Sequence, residues 1–258
     1  MIFDINAYIG KWPHWPVRAA TAAEVAAEMD GWHIDQAAIC STRSLFVHWE
    51  DGNCEAERAA AAHPERFIAF ACLGTRELSH ALPRGGYDFE DYVRRGFAGI
   101  RLYPQHHSYH PLYENFVRDI LQGARDFDLP VLLPLRAMMN WGMPMLELGV
   151  IEALVNRYPA NTWILSGINY LHELQLALSL MRANPNVHLE TSCVESFEAI
   201  AKLVDLVGAE RILFGSGAPL NHGGAALEKI LRAHIPDAAR EAILCGNAER
   251  LLAEESGG

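Results

Sequence analysis

Three arginines in this sequence are placed where they could bind an anion. Arg43, Arg101 and Arg136 each lie at or just past the end of an apolar, strand-like run. A guanidinium group carries a permanent charge and donates hydrogen bonds in a forked pair that matches a carboxylate or a phosphate. We therefore predict that they bind a small anionic molecule. The alternative is that each pairs with a local acid such as Glu190 or Asp51, because buried arginines are nearly always paired.

Three histidines follow the fourth strand-like run within five residues: His106, His107 and His110. An imidazole titrates near neutral pH and can transfer protons in a catalysed reaction. We predict that His106, His107 or Glu190, which ends the seventh run, transfers a proton, although Glu190 could instead be the partner of an arginine. Two other interpretations of the histidines stay open. One is a relocated metal site, although adjacent histidines in an extended loop point apart. The other is a loop that only packs or faces solvent.

Uncharged polar residues at other strand ends complete the predicted site. Asn6 and Tyr8 lie on the first run, Asn169 follows the sixth and Ser192 follows the seventh. Amide and hydroxyl groups orient a bound molecule because they donate and accept hydrogen bonds in fixed directions. We predict that these four side chains contact the substrate.

The elements that must position these residues alternate along the whole chain. Eight β-rich runs recur, at residues 2–6, 36–40, 67–73, 98–103, 130–134, 162–166, 187–191 and 211–215. Segments with apolar residues three and four apart lie between them, which is typical of amphipathic helices. Several runs are apolar throughout, as in a parallel sheet that is buried on both faces. Eight such alternations predict a single-domain (β/α)₈ TIM barrel over residues 1–258, with its site at the carboxyl ends of the strands.

The composition restricts the partners and the location of the protein. The 258 residues include 21 Lys and Arg against 32 Asp and Glu, which gives a formal net charge of −11. No basic stripe is present, and this argues against a nucleic acid partner. No apolar run approaches the roughly 18 residues of a membrane helix, so we expect no membrane contact. No secretory signal is visible and the five cysteines are scattered, so we expect a cytoplasmic location.

Five short motifs follow one another along the chain. They are Asp-Ile-Asn-Ala-Tyr-Ile-Gly at 4–10, Gly-Ile-Arg-Leu-Tyr-Pro at 99–104, Asn-Val-His-Leu-Glu-Thr-Ser at 186–192, Phe-Gly-Ser-Gly-Ala-Pro at 214–219 and Cys-Gly-Asn-Ala-Glu-Arg-Leu-Leu at 245–252. In this order the motifs resemble the amidohydrolase superfamily, in particular its amidohydrolase-related group that includes the carboxymuconate-semialdehyde decarboxylases. The resemblance covers nearly the whole chain. It implies a barrel of the metal-dependent-hydrolase type with hydrolase or C–C lyase activity.

The resemblance also implies a metal centre, and the residues that would build it are missing. Family members hold a divalent ion with histidines and an aspartate at the ends of strands 1, 5, 6 and 8. The matching positions in this chain are Asn6, Tyr8, Pro134, Gly167 and Gly217. Proline, glycine and tyrosine do not replace imidazole as zinc ligands. We therefore expect no metal and no other cofactor, and no proton transfer from the position of Gly217, where the family has its acid.

Three functions stay open on the sequence. The first is a metal-independent hydrolase or C–C lyase/decarboxylase that acts on a small anionic carboxylate substrate. The second is a non-catalytic pseudoenzyme, a ligand-binding or scaffolding barrel, which a mouth sealed by Trp12, Trp15, Tyr109 or Trp141 would favour. The third is a metal hydrolase with relocated ligands. Exposed aromatic residues and the family resemblance also favour a homo-oligomer.

Overall fold

Eight parallel strands form one sheet in which the strand order follows the chain. A computed structural model describes residues 1–74, 86–113, 115–138 and 144–253. The strands are β1 (Phe3–Ile9), β2 (Gln36–Ser41), β3 (Phe67–Leu73), β4 (Phe97–Leu102), β5 (Val131–Pro134), β6 (Trp163–Ser166), β7 (Val187–Glu190) and β8 (Ile212–Leu213). The backbone N–H of Ile5 donates to the carbonyl of Phe214 (2.9 Å), and that of Gly217 donates to the carbonyl of Asn6 (2.8 Å). These bonds join the chain after β8 to β1, and the predicted (β/α)₈ barrel is confirmed.

Helices alternate with the strands and cover the outside of the barrel. They are α1 (Ala22–Gly31), α2 (Thr42–Phe46), α3 (Trp49–Ala62), α4 (Phe89–Arg94), α5 (Asn115–Asp126), α6 (Leu148–Arg157), α7 (Leu171–Ala183), α8 (Ala199–Val207), α9 (Gly223–Leu231), α10 (Asp237–Glu241) and α11 (Asn247–Ala253), with a π-helical turn at Ala242–Gly246 between the last two. Helix α5 illustrates the predicted pattern, since Phe116, Val117, Ile120 and Leu121 recur three and four residues apart and are buried. Within the described ranges, no helix is long and apolar enough to cross a membrane.

The apolar core has an inner and an outer layer. The outer layer lies between the strands and the helices. The inner layer fills the barrel with side chains from many strands, including Phe3, Ile5, Phe70, Leu132, Ile164 and Leu213. Side chains of the C-terminal helical segment, among them Cys245, Ala248 and Leu251, pack against this inner layer. A filled barrel interior is usual for this fold, so any chemistry depends on what replaces apolar side chains near the strand ends.

Two irregularities in the strands change which residues face the barrel interior. The register of β1 against β2 shifts between Asp4 and Ala7, where three steps on β1 match two on β2. The register of β4 against β3 shifts in the same way between Phe97 and Ile100. An extra residue in a strand reverses the alternation of its side chains. Polar residues within or beyond each shift therefore point inward, and their alternation is offset by one residue from that of the apolar side chains before the shift.

Asp4 holds the irregular part of β1. Its Oδ1 accepts hydrogen bonds from the backbone N–H groups of Asn6 (3.0 Å) and Ser216 (2.9 Å). Its Oδ2 accepts a short hydrogen bond from the Ser216 hydroxyl. Burial raises the pKa of Asp4 to about 6, although the hydrogen bonds from Ser216 and Asn6 lower it. The carboxylate thus satisfies a donor in the irregular strand and fixes the turn after β8 against β1.

We expect replacement of Asp4 by alanine to lower the free energy of unfolding by about 2–4 kcal/mol. The change leaves buried donors of Asn6 and Ser216 without acceptors, and each such group costs about 1–3 kcal/mol. Urea denaturation of Asp4→Ala and wild type measures the difference. Asp119→Ala is the control, because this carboxylate contacts its neighbour Arg118 at the surface. Equal stabilities of Asp4→Ala and Asp119→Ala would contradict the role assigned to Asp4.

Candidate functional site

Five polar side chains meet inside the barrel, and we call them the polar centre: Asn6, Arg101, Ser166, Glu190 and Ser192. They come from β1, β4, β6, β7 and the residues directly after β7. Asn6, Arg101 and Glu190 are each 0% exposed. A permanent cation and a carboxyl group with no exposed surface require protein partners, because removing a charge from water is costly.

Arg101 finds its partners on β1 and β2. One guanidinium nitrogen donates to Asn6 Oδ1 (2.9 Å) and the other to the carbonyl of Ala38 (2.9 Å). The guanidinium carbon also lies 5.1 Å from the centre of the Tyr8 ring and 5.6 Å from that of Phe70, within the usual range of cation–π contact. The positive charge is therefore held by neutral oxygen atoms and aromatic faces.

Glu190 finds its partners on the opposite side of Asn6. Its Oε1 accepts hydrogen bonds from the hydroxyls of Ser166 (2.5 Å) and Ser192 (2.7 Å) and from Asn6 Nδ2 (3.3 Å). Its Oε2 accepts the backbone N–H of Ser192 (2.6 Å). The Asn6 amide thus connects Arg101 to Glu190, accepting from the cation and donating to the carboxyl group. Glu190 could act as a base only after giving up several of these bonds.

Tyr8 makes a second contact between strands beside the polar centre. Its hydroxyl lies 3.0 Å from the hydroxyl of Tyr103, and both rings are buried. Burial raises the pKa of each phenol. Both hydroxyls therefore stay protonated at neutral pH, and a phenol in this state is a poor ligand for a metal ion.

The side chains at the five family ligand positions do not fit a divalent metal ion. Asn6 already uses its amide on Arg101 and Glu190, and a guanidinium 2.9 Å from the amide oxygen repels a second cation. Gly167 and Gly217 adopt positive φ angles of 71° and 67°, which disfavour any side chain. A Cβ atom at Gly167 would also lie 2.3 Å from the carbonyl oxygen of Arg136. Across the ranges that the structure describes, no three His, Cys, Asp or Glu side chains form a group that could hold a metal.

The predicted proton-transfer histidines lie outside the polar centre. His106 packs edge-on against Phe46 and Tyr103, and its Nε2 is buried without a hydrogen-bond partner in the described chain. Burial, and then the rings of His107 and His14, lower the pKa of His106 to about 4. The Nε2 of His107 lies 2.8 Å from the carbonyl of Ser44, and burial lowers its pKa as well. Both rings are therefore neutral at pH 7, and such a ring accepts a proton but has none to give as an acid.

The other two predicted anion-binding arginines are paired with acids. Arg136 forms a two-armed ion pair with Glu173 on α7, and the side chains are only 3% and 1% exposed. Glu173 also accepts the backbone N–H groups of Asn169 (2.8 Å) and Tyr170 (3.0 Å), so it fixes the start of α7. Arg43 pairs with Asp51 (3.1 Å) on the surface, with about half of each side chain exposed. An anion bound by Arg136 or Arg43 would have to compete with these carboxylates.

Asn169 connects two loops next to the polar centre. Its Oδ1 accepts the backbone N–H of Glu195 (3.1 Å), and its carbonyl accepts the hydroxyl of Ser196 (3.1 Å). Of the four predicted substrate contacts, Asn6 and Ser192 therefore meet in the polar centre, Tyr8 packs against Arg101, and Asn169 orders the loop after β7.

Sequence reasoning did not identify three charged residues that shape this region: Asp4, Glu173 and Lys229. Glu173 lies at the third position of a helix, where an acid often caps the first turn, and that signal could have identified it. Lys229 lies on α9, where its Nζ donates to the carbonyls of Thr191 (2.5 Å) and Ser192 (3.3 Å). A lysine on an amphipathic helix usually faces solvent, so the sequence gives no signal for this inward orientation.

A small cavity lies beside the polar centre at the barrel mouth. It has a volume of about 10 Å³ and is lined by residues that include Tyr103, His106 and Arg136. This is room for one water molecule at most. Trp12 and Tyr109, two of the residues predicted to seal the mouth, are buried, and Trp15 is half-buried. Trp141 lies outside the described residues. A cavity of this volume is too small to hold a substrate.

Comparison with known proteins agrees with the architecture. The amidohydrolase family matches residues 55–253, more than three quarters of the chain. No curated protein matches the sequence. An uncharacterized TIM-barrel protein from Bordetella bronchiseptica superimposes with a TM-score of 0.73 at 17% identity, covering 99% of each chain. The 5-carboxyvanillate decarboxylase LigW from Sphingomonas paucimobilis gives 0.71 at 16% identity over 98% of each chain.

The 2,6-dihydroxybenzoate decarboxylase from Rhizobium is similar to the same degree. It gives a TM-score of 0.71 at 17% identity, covering 99% of this chain and 100% of that one. At these sequence identities, structural similarity establishes only the fold. The family match establishes that the chain is related to the amidohydrolases. The chain therefore belongs to the amidohydrolase family, and its barrel has the same fold as the 5-carboxyvanillate and 2,6-dihydroxybenzoate decarboxylases.

Proposed function

We propose that this protein binds a small carboxylate-bearing molecule and has lost the metal-dependent reaction of its family. The observation that carries the proposal is the polar centre, in which Asn6 connects Arg101 to Glu190 without exposed surface. A catalytic metal site keeps one coordination position open for water or substrate. In the polar centre, Arg101 and Glu190 instead bond to neutral side chains and backbone groups, with the Asn6 amide between them.

The energetics of the polar centre support a structural role. Glu190 accepts hydrogen bonds from Ser166, Asn6 and two groups of Ser192. A ligand that reached Glu190 would have to replace these bonds, and hydrogen bonds to a charged group contribute about 1.5–3 kcal/mol each. Arg101 supplies one positive charge inside the barrel at the strand ends. We infer that the guanidinium compensates electrostatically for the lost ion, although it cannot activate a water molecule as a metal does.

The relatives support a carboxylate as the class of ligand. Three structures with this fold are of a 5-carboxyvanillate decarboxylase, a 2,6-dihydroxybenzoate decarboxylase complexed with 2,6-dihydroxybenzoate, and a probable 2-pyrone-4,6-dicarboxylic acid hydrolase with citric acid bound. All of these molecules carry carboxylate groups. We carry over the carboxylate group, and an aromatic or similarly apolar body, to the ligand of this protein. That the chain is a single domain and forms cytoplasmic homo-oligomers stays a prediction.

A second candidate function is a metal-independent hydrolase or C–C lyase acting on the same class of molecule. The buried Nε2 of His106 favours it, because this atom has no partner in the described chain and its ring lines the small cavity that Arg136 also lines. Opening of the mouth loops would place a substrate carboxylate between an imidazole base and a guanidinium. Glu173 is already paired with the Arg136 guanidinium. Catalysis here therefore requires that the mouth loops open and that this ion pair breaks, whereas binding of a ligand elsewhere requires neither change.

A binding and turnover experiment distinguishes the two functions. We expect benzoate to raise the free energy of unfolding, by about 2.7 kcal/mol at a concentration of about 100 times its Kd. Benzamide, its neutral analogue, should raise it far less at the same concentration. We expect no turnover of 2,6-dihydroxybenzoate with added Mn²⁺ or with EDTA, followed by its ultraviolet absorbance. Turnover that survives EDTA would establish the second candidate. Turnover that requires Mn²⁺ would contradict the loss of metal chemistry.

We expect Arg101→Met to lower the free energy of unfolding by about 3 kcal/mol or more. The change removes a buried cation and leaves Asn6 Oδ1 and the carbonyl of Ala38 without their donors. Urea denaturation measures the loss, and Arg118→Met, an exposed arginine beside Asp119, is the matched control. A variant as stable as the control would show that the polar centre does not support the barrel.

We expect His106→Gln to make folding less sensitive to acid. The folded protein binds a proton at His106 with a pKa of about 4, below the 6.5 of a free ring. The unfolded chain therefore binds more protons between these values, and stability falls as the pH drops from 6.5 towards 4. Denaturation at pH 7 and at pH 4.5 should show that the variant loses about 2 kcal/mol less than wild type. An equal loss in both proteins would contradict burial of a neutral ring.

A further inference from the structure

A second, larger cavity opens beside the barrel at the ends of β7 and β8, and we call it the lateral cavity. It has a volume of about 680 Å³ and lies between α8, α9 and the loops that precede them. Sites for small molecules usually have volumes of about 300–1,000 Å³ and lie at the carboxyl ends of the strands in this fold. The lateral cavity therefore has the size and position of a ligand site, and the mouth cavity beside His106 does not.

The walls of the lateral cavity are largely apolar. Val194, Ile200 and Ala226 line it, and all three are buried. Phe197 lies at its edge with 82% of its surface exposed, which is unusual for a phenylalanine. An apolar or aromatic ligand body would cover the exposed ring of Phe197 and remove its surface from water, at roughly 25 cal/mol per Å².

Lys229 supplies a positive charge in this apolar surrounding. Its ammonium donates to the carbonyls of Thr191 and Ser192, which hold it in place without neutralising it. An ammonium group has three N–H donors, so one remains for a ligand. No carboxylate lies within ion-pair distance of this nitrogen in the part of the chain that the structure describes. Burial lowers the pKa of Lys229, whereas Glu190, Cys193 and Glu195 raise it.

The polar residues at the inner wall connect the lateral cavity to the altered family positions. A Cβ atom at Gly217 would lie 2.5 Å from the amide nitrogen of Asn221. Asn221 therefore occupies space that an aspartate at position 217, as in the family, would need. Ser192 also lines the lateral cavity, and its hydroxyl donates to Glu190. Asn221 therefore lies both beside the altered family position and at the wall of the lateral cavity.

The remaining charges at the edge of the lateral cavity are mostly paired. Arg232 pairs with Glu228 (2.8 Å), and Glu198 lies 4.0 Å from Lys202. Glu195 forms no ion pair among the described residues, and it is the group that would repel a bound carboxylate. Two single substitutions should therefore change anion affinity in opposite directions. Loss of the Lys229 charge should weaken anion binding, and loss of the Glu195 charge should strengthen it.

We propose that the lateral cavity binds the carboxylate ligand, with the carboxylate on the Lys229 ammonium and the Asn221 amide, and the apolar body against Ile200, Ala226 and Phe197. The inference rests on the proposed function, because it assigns a place to the ligand class that the family suggests. It differs from the arginine site predicted from the sequence, since Arg43, Arg101 and Arg136 already have protein partners.

Calorimetric titration with benzoate tests the assignment. We expect Lys229→Met to bind benzoate at least tenfold more weakly than wild type, and Glu195→Gln to bind it two- to fivefold more tightly. Ala225→Phe fills the lateral cavity from an exposed position on α9 and should also weaken binding at least tenfold. This second variant keeps the test decisive if Lys229→Met does not fold. Benzamide should bind wild type and Lys229→Met equally weakly.

Arg58→Met is the matched control. Arg58 is exposed and lines a separate groove of about 750 Å³ with Lys11 and Arg43, at the ends of β1 and β2. We expect this variant to bind benzoate as wild type does. Binding that is lost in Arg58→Met and kept in Lys229→Met and Ala225→Phe would overturn the lateral cavity and place the anion in the groove. Failure of wild type to bind benzoate would instead contradict the proposed function itself.

Discussion

The barrel depends on one buried amide. Asn6 accepts a hydrogen bond from Arg101 and donates one towards Glu190, so a cation and a carboxyl group share the interior without touching water. Neither charged group could be buried there alone, because an unpaired charge inside a protein costs several kcal/mol. An amide can face both, since its oxygen accepts and its nitrogen donates. The imidazole found at this position in the family could not accept from Arg101 while it bound a metal ion.

This arrangement requires irregular strands. The inner apolar layer uses Phe3 and Ile5 of β1, so a regular strand would turn Asn6 outward. The register shift in β1 reverses the alternation and brings Asn6 inward, and Asp4 accepts the N–H that the shift leaves free. A second shift in β4 does the same for Arg101. Bulges near active sites commonly re-aim side chains, and here they assemble the polar centre.

The sequence predicts the architecture of this protein better than its contacts. The β-rich runs and the helical spacing of residues such as Ile120 and Leu121 follow from local periodicity, so the strands and helices lie close to the predicted places. The sequence also identifies the turn at Gly217. It does not identify Glu173 as the partner of Arg136, because Glu173 lies 37 residues away and the pair forms only once α7 packs on the barrel.

The same limit applies to the site. Side chains alternate along a strand, so Arg136, two residues after Pro134 at the end of β5, is expected to face the barrel mouth. Arg136 does line the small cavity there. The alternation of side chains along the strand does not reveal that Glu173 neutralises the Arg136 charge there. Two backbone carbonyls after β7 accept hydrogen bonds from Lys229 and hold it in its inward position. Every residue has a carbonyl group, so the residue types do not show where such acceptors lie. The sequence therefore does not predict which charged groups pair when they lie far apart along the chain.

The closed polar centre and the open lateral cavity meet at Ser192. Because Gly217 has no side chain, the Asn221 amide can approach the turn after β8. The Ser192 hydroxyl donates to Glu190. Ser192 then forms a wall between the two spaces, with its hydroxyl on one side and its carbonyl on Lys229 on the other. A carboxylate inside the barrel would meet Glu190 and an Arg101 whose guanidinium already donates to Asn6 and Ala38. One outside this wall would meet the Lys229 ammonium group, which donates only to backbone carbonyls. The availability of a donor on Lys229, rather than on Arg101, thus supports the lateral cavity as the proposed place of the ligand.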